Sequence, residues 1–168
     1  MERIKSKILL IFLVWSIINS CNPFAPELDE ESKDNAAALT EQKDIDGLFK
    51  NFQYAYNFKD TTVYGALLDE NFIFVYRDYS ANFDVAWGKQ EEMKITNMLF
   101  KNTQDIKLIW NEIIMISIDS TSILRSFNLT ITFNPMDIAH IDGKVNFTLR
   151  KDEQKKWRIV KWFDESNF

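Results

Sequence analysis

The sequence predicts an α+β fold: a curved antiparallel sheet of four long strands plus a short strand or hairpin, wrapped by three helices drawn from the N-terminal half of the domain. Three observations carry this. From Ile45 to Tyr56 the apolar residues recur at spacings of three and four, the period of a helix with one buried face. From Asp105 onward they recur at every second position, the period of a strand. Hydrophobic residues make up 46% of the 168 residues while glycine numbers 4 and proline 3, so a sizeable core is available and a disordered or fibrous chain is not indicated.

The chain opens with MERIKSK, short and net positive, followed by the uncharged run Ile8–Ile18. As a helix that run would rise only about 16 Å, too little for a hydrocarbon core of about 30 Å. A basic start, a short apolar centre and a small-residue exit read as an export signal rather than a membrane span. Next comes Ile18-Asn19-Ser20-Cys21, which holds the only cysteine. It resembles the bacterial lipobox, in which an aliphatic residue and two mostly small ones precede a cysteine that is lipidated and becomes the first residue of the mature protein. Asn19 is larger and more polar than the pattern usually has. The resemblance implies lipidation of Cys21 and a place in the bacterial cell envelope, anchored to the inner or outer membrane and facing the periplasm. One cysteine excludes a disulfide within the chain.

Between Glu27 and Asp44 stand seven acidic residues against two lysines, with Pro23 and Pro26 just before. That composition suits a solvated, self-repelling tether. The expected organisation is a signal peptide over 1–20, a tether over 21–41 and a domain over 42–168. Without residues 1–20 the chain's 20 basic and 25 acidic residues fall to 17 and 24, a net charge of −7. This balance and the lack of a basic patch disfavour nucleic acid as a partner.

Within the domain, Ile45, Leu48, Phe49, Phe52 and Tyr56 predict an amphipathic helix over about Glu41–Phe58. Asp60-Thr61-Thr62 offers a cap for a short second helix, Val63–Leu68. A strand follows at Phe72–Tyr76 and a short returning one at Asn82–Trp87. Gly88 interrupts it, and KQEEMKITNMLFKN reads as the third helix. In the first long strand Ile106, Leu108 and Trp110 share one parity; in the next, Phe127, Leu129, Ile131 and Phe133 share another. A loop holding Pro135, His140 and Gly143 leads to Val145, Phe147 and Leu149, and WRIVKWFD closes the chain as the last strand.

Two helices, a strand, a helix and a meander ending in "WRIVKWFDE", with "LLDENFIF…WGKQEEM" between, resemble the nuclear transport factor 2-like superfamily over about residues 42–166. The resemblance implies a cone in which helices and curved sheet enclose a pocket, and a homodimer through the outer sheet face. It leaves function open, because the superfamily holds isomerases, dehydratases, polyketide cyclases, transport adaptors and lipoproteins without known activity. In its ketosteroid isomerase branch a tyrosine and two aspartates move the proton. Tyr54, Tyr56, Asp78 and Asp164 are present here, but no three of them match that set position by position.

The residues themselves offer few candidates for chemistry. One histidine and one cysteine make no zinc-like cluster, and the isolated glycines make no phosphate loop, so neither metal nor cofactor is expected. Strand parity puts Glu112 on the inward row with Trp110; a carboxylate in an apolar cone could serve as acid, base or ligand anchor. A β-bulge at Asn111–Ile113 would instead turn it outward. Arg125 falls near the mouth, where it could grip an anion or pair at the rim. Tyr76, Trp87, Trp110 and Trp162 could line the pocket or fill it. The expected function is therefore a membrane-anchored lipoprotein whose cone binds a small apolar or amphipathic ligand, or a protein partner, without catalysis. The alternative is an isomerase- or dehydratase-like enzyme with Glu112 or Asp164 as general base.

Overall fold

Asp44 opens the first helix, α1 (Ile45–Asn57), by accepting from the Gly47 amide at 2.6 Å, which satisfies one of the donors that a helix start leaves free. The computed structural model describes residues 39–165. The segment read as an export signal, Cys21 and nearly all of the segment read as a tether lie outside them. The helix starts later than periodicity suggests because the preceding residues are used elsewhere. The Thr40 amide donates to Asn51 Oδ1 at 2.8 Å, and the Trp157 amide donates to the Gln42 carbonyl at 2.9 Å. Thr40, read as tether, is thus tied to α1. Gly47 permits this approach: a Cβ there would stand 2.5 Å from the Thr40 hydroxyl.

Asp60 caps α2 (Thr61–Leu67) through the amides of Thr62 and Val63. The chain then enters β1 (Leu68–Asp78), turns into β2 (Phe83–Gly88) and runs through α3 (Lys89–Asn102). The remaining strands are β3 (Asp105–Ile116), β4 (Ser122–Asn134), β5 (Asp137–Lys151) and β6 (Trp157–Asp164). All six form one sheet in the order β2-β1-β6-β5-β4-β3. Neighbours are antiparallel except β1 and β6, which run parallel. The expected α+β class holds: four long strands, a hairpin on one side, and three helices.

Two elements extend beyond their expected limits. Strand β5 begins at Asp137, so His140 is a strand residue rather than a loop residue, with Nδ1 3.1 Å from the Thr130 hydroxyl on β4. Strand β1 begins at Leu68, and its pairing with β6 jumps from Leu68↔Ile159 to Ile73↔Lys161. Extra residues on one strand bend it, and the bend turns β1 over the helices.

Helix α1 lies along the concave face. Phe52, 1% exposed, is at its centre, with its ring 5.3 to 5.8 Å from those of Tyr64, Trp110, Phe147 and Trp162. Most of these pairs meet edge to face, the arrangement that aromatic quadrupoles favour.

Asp69 sits in the β1 bend, buried, where it accepts from the Asn71 amide at 3.0 Å and from the Arg150 guanidinium of β5. Burial by itself would raise this carboxyl, but the amide and the guanidinium outweigh burial and hold it below 3.8, its ordinary value. The stability it supplies is therefore present above that pH and is lost as the pH falls through the depressed folded value. Replacing Asp69 with Asn should cost about 1–2 kcal/mol at pH 7, discounted because Arg150 is more than half exposed. In urea denaturation the difference between the two proteins should shrink as the pH is taken below 3.8.

Candidate functional site: an apolar cavity beside a buried carboxylate

The helices do not fill the concave face of the sheet. An apolar cavity of about 250 Å³ remains, with residues from every described element except α2 in its wall. Phe74, Trp87, Trp110, Phe127 and Trp162 provide aromatic surface, and Leu129 and Ile141 close the side toward β4 and β5. Phe74 stacks on Trp87 with ring centroids 4.5 Å apart, and Trp162 meets Phe74 edge to face at 5.0 Å. Walls locked by ring contacts of this kind cannot collapse inward without losing them.

The polar lining consists of Tyr56, Glu92, Thr96 and Asp164. Glu92 is its centre. It is 4% exposed and lies in the first turn of α3. Tyr64 of α2 donates its hydroxyl proton to Oε1 at 2.6 Å, Thr96 donates to the same oxygen at 3.1 Å, and the Trp87 indole donates to Oε2 at 2.7 Å. Three neutral donors thus replace the water that the carboxylate would otherwise hold. Thr96 is one helical turn on from Glu92, so both face the same way. Tyr56 of α1 packs its ring edge to face on that of Tyr64, with centroids 5.5 Å apart. The single Tyr64 proton is committed to Glu92. Burial first, and the Glu92 carboxylate with it, push both phenols well above the ordinary tyrosine range. Both stay protonated at any physiological pH and can donate, but not abstract, a proton.

The residues expected from the sequence divide sharply. Trp87, Trp110 and Trp162 line the cavity, as does Asp164 at the end of β6. Tyr76 packs half-buried beside the wall, its ring 5.8 Å from that of Trp87. Glu112 is exposed, which corrects its assignment to the inward row. The register between β3 and β4 shifts after Trp110↔Phe127 and again after Ile113↔Arg125, so the alternation breaks immediately before Glu112. The bulge is the outward-turning one considered above. Its loosened backbone is engaged by β4: Arg125 Nε donates to the Asn111 carbonyl at 2.9 Å. Arg125 also lies over the rings of Phe49 and Trp110, 4.6 and 5.7 Å from their centroids, so it packs on the core without entering the cavity wall.

Glu92, Tyr64 and Thr96 were not singled out in the sequence, and Tyr56 stood out only as one of the tyrosines present for the isomerase set. A signal existed: Glu92, Thr96 and Phe100 stand four residues apart on one helical face, and that face carries Phe100 into the core. An acid on that row had to be buried.

The sequence matches no protein-family model and no curated protein. Solved structures do resemble it. A candidate scytalone dehydratase of Novosphingobium aromaticivorans superposes with a TM-score of 0.64 at 13% identity, over 81% of this chain and 89% of that one. The Kfla4162 protein of Kribbella flavida gives 0.62 at 10% identity, over 82% and 93%. A candidate dehydratase of the nuclear transport factor 2-like (NTF2-like) family from Streptomyces avermitilis gives 0.58 at 12%, over 76% and 96%. At such identities the likeness is one of fold, and the fold is the NTF2-like cone.

The buried phenols can be titrated. Of the five tyrosines, Tyr56 and Tyr64 should stay un-ionised in the native state at pH values where exposed tyrosines have ionised, and should ionise only as the protein unfolds. Their folded values are raised, so the stability they supply is complete below about pH 10 and declines above it. Absorbance at alkaline pH, followed with and without denaturant, measures this; native-state ionisation of all the tyrosines together would contradict the burial of these two phenols.

Proposed function

We propose that the chain is a membrane-tethered ligand-binding lipoprotein: a cone-shaped domain that holds a small apolar or amphipathic molecule, joined through an acidic segment to lipid on Cys21. One observation carries the ligand-binding part. The cavity is lined by rings held in place by one another, and its buried carboxylate Glu92 is already supplied with donors from the protein. A pre-formed, mainly apolar pocket with a few convergent polar groups is the usual form of a small-molecule site. Glu92 has a full set of donors and the tyrosines hold their protons, so these groups suit orientation of a guest better than removal of a proton from it.

A second reading is favoured by the position of Asp164, a carboxylate in the same wall. Two of the proteins that share the fold carry the name dehydratase. In that reading Asp164 acts as the general base and the Tyr56 hydroxyl, in the same wall, polarises the substrate.

Filling the cavity tests the first reading. Leu129→Trp should abolish uptake of naphthalene while the far-ultraviolet circular dichroism stays native; uptake that persists in a folded variant would remove the cavity as the binding site. Mass spectrometry of protein purified from its own membranes tests the rest. It should show Cys21 diacylated or triacylated, with a small molecule that survives purification unchanged. An unmodified Cys21 on a chain retaining Met1 would overturn the anchor. Conversion of the co-purified molecule by loss of water or rearrangement, abolished by Asp164→Asn, would favour the enzyme.

A further inference from the structure

The polar groups around the cavity are turned into the protein. Both oxygens of Glu92 are engaged, by Tyr64, Thr96 and the Trp87 indole. The Trp110 indole donates to the Phe49 carbonyl at 3.0 Å, and the Trp162 nitrogen is shut away from any guest. The surface left for a ligand is almost wholly carbon. A hydroxyl or a charge brought inside would leave its water behind and find no partner in exchange, which costs about tenfold or more in affinity.

Exposure changes along the wall. Phe52, Phe74, Phe127 and Trp162 are buried. Ile95 and Leu99 on α3 are half-buried, as are Leu129 and Ile141 on β4 and β5. The main packing of α3 is on β1, β2 and α2, not on β4 or β5, so these four aliphatic side chains border the opening. Of the polar residues in the wall, Tyr56, Glu92 and Thr96 are buried and Asp164 is half-buried. The interior is thus ring-lined and apolar, and solvent is reached across an aliphatic border.

Size sets how much of a ligand fits. An apolar cavity of about 150 Å³ takes up benzene, with its six carbons. In proportion, the 250 Å³ or so of this one has room for about ten.

We infer that the cavity takes the hydrocarbon end of an amphiphile, about ten carbons of it, and that the polar end stays outside the aliphatic border. The inference rests on the ligand-binding reading above and adds the class of ligand and the direction in which it enters. A free single-chain amphiphile and one chain of a membrane lipid share this chemistry, and the molecule that co-purifies with the protein tells them apart.

Tryptophan fluorescence of the full chain in digitonin tests it. Trp87, Trp110 and Trp162 line the cavity, and the rigid steroid body of this detergent is too large to enter. In 10-bromodecan-1-ol a quenching bromine sits at the end that enters first; in 2-bromodecan-1-ol it sits beside the hydroxyl. The first should quench several-fold more strongly than the second at equal occupancy, and excess decane should relieve the quenching. With affinities corrected for micelle partition, 1,10-decanediol should bind at least about tenfold more weakly than 1-decanol. Across the 1-alkanols from six to fourteen carbons, affinity expressed against free monomer should rise about fourfold per methylene and level off near ten. Equal quenching by the two bromides would overturn the direction of entry. A diol as tight as the alcohol would overturn the exclusion of polar groups, and a rise continuing to fourteen carbons would overturn the length. Quenching by neither bromide, with naphthalene still taken up, would overturn the inference and leave the ligand-binding reading standing; failure of naphthalene as well would remove that reading.

Discussion

A carboxylate taken out of water must be given back its hydrogen bonds, and that requirement at Glu92 organises this domain. Burying an ionised group without partners costs more than the whole stability of a typical domain can bear. The three donors come from different elements: Tyr64 from α2, Trp87 from β2 and Thr96 from α3 itself. Helix α2, the β1–β2 hairpin and α3 are therefore held in one arrangement by a single side chain. On α1, the Tyr56 ring meets the Tyr64 ring edge to face at 5.5 Å. The polar network and the pocket are one construction, because the atoms that satisfy Glu92 also shape the polar lining.

The empty space has an equally physical origin. A strongly bent sheet presents a concave face, and one helix laid along it touches that face only over a stripe. Phe52 fills the centre of the stripe and is packed on four other rings. Between that stripe and α3 the wall is built from rings in edge-to-face and stacked contact, and moving one of them into the gap would break the contacts of its neighbours. Aromatic cores of this kind resist collapse better than aliphatic ones, since a ring has fewer ways to repack than a leucine or methionine.

Glu112 and Glu92 show how legible the site was. Both are single acids beside apolar rows. Glu112 drew attention because strict alternation along β3 would place it inside with Trp110. Alternation fails there because β3 has extra residues opposite β4, and each extra residue reverses every side chain that follows. Such a bulge depends on the partner strand and leaves no mark on the residues Asn111-Glu112-Ile113. Glu92 belongs to a helix, where the period survives local irregularity, and its alignment with Thr96 and Phe100 is readable in retrospect. Its partners are not: Tyr64 is 28 residues away and reaches it only through the fold. Trp87, Trp110 and Trp162 line the cavity, because large aromatic residues on the inward face have little else to face.

By itself the sequence determined which stretches are helix and which are strand, since the change from a three-and-four spacing to an alternating one is a local property of covalent geometry. It determined the α+β class, the order of the elements and the cap at Asp60, where a short acidic side chain precedes an apolar turn. Only the tertiary structure decided which acid is buried, which tryptophan lacks an acceptor, and that a cavity remains between sheet and helices. Those are properties of juxtaposition. They follow from the bulges in β1 and β3, from the parallel pairing of β1 with β6, and from rings contributed by elements far apart in the chain, none of which leaves a periodic trace in the order of residues.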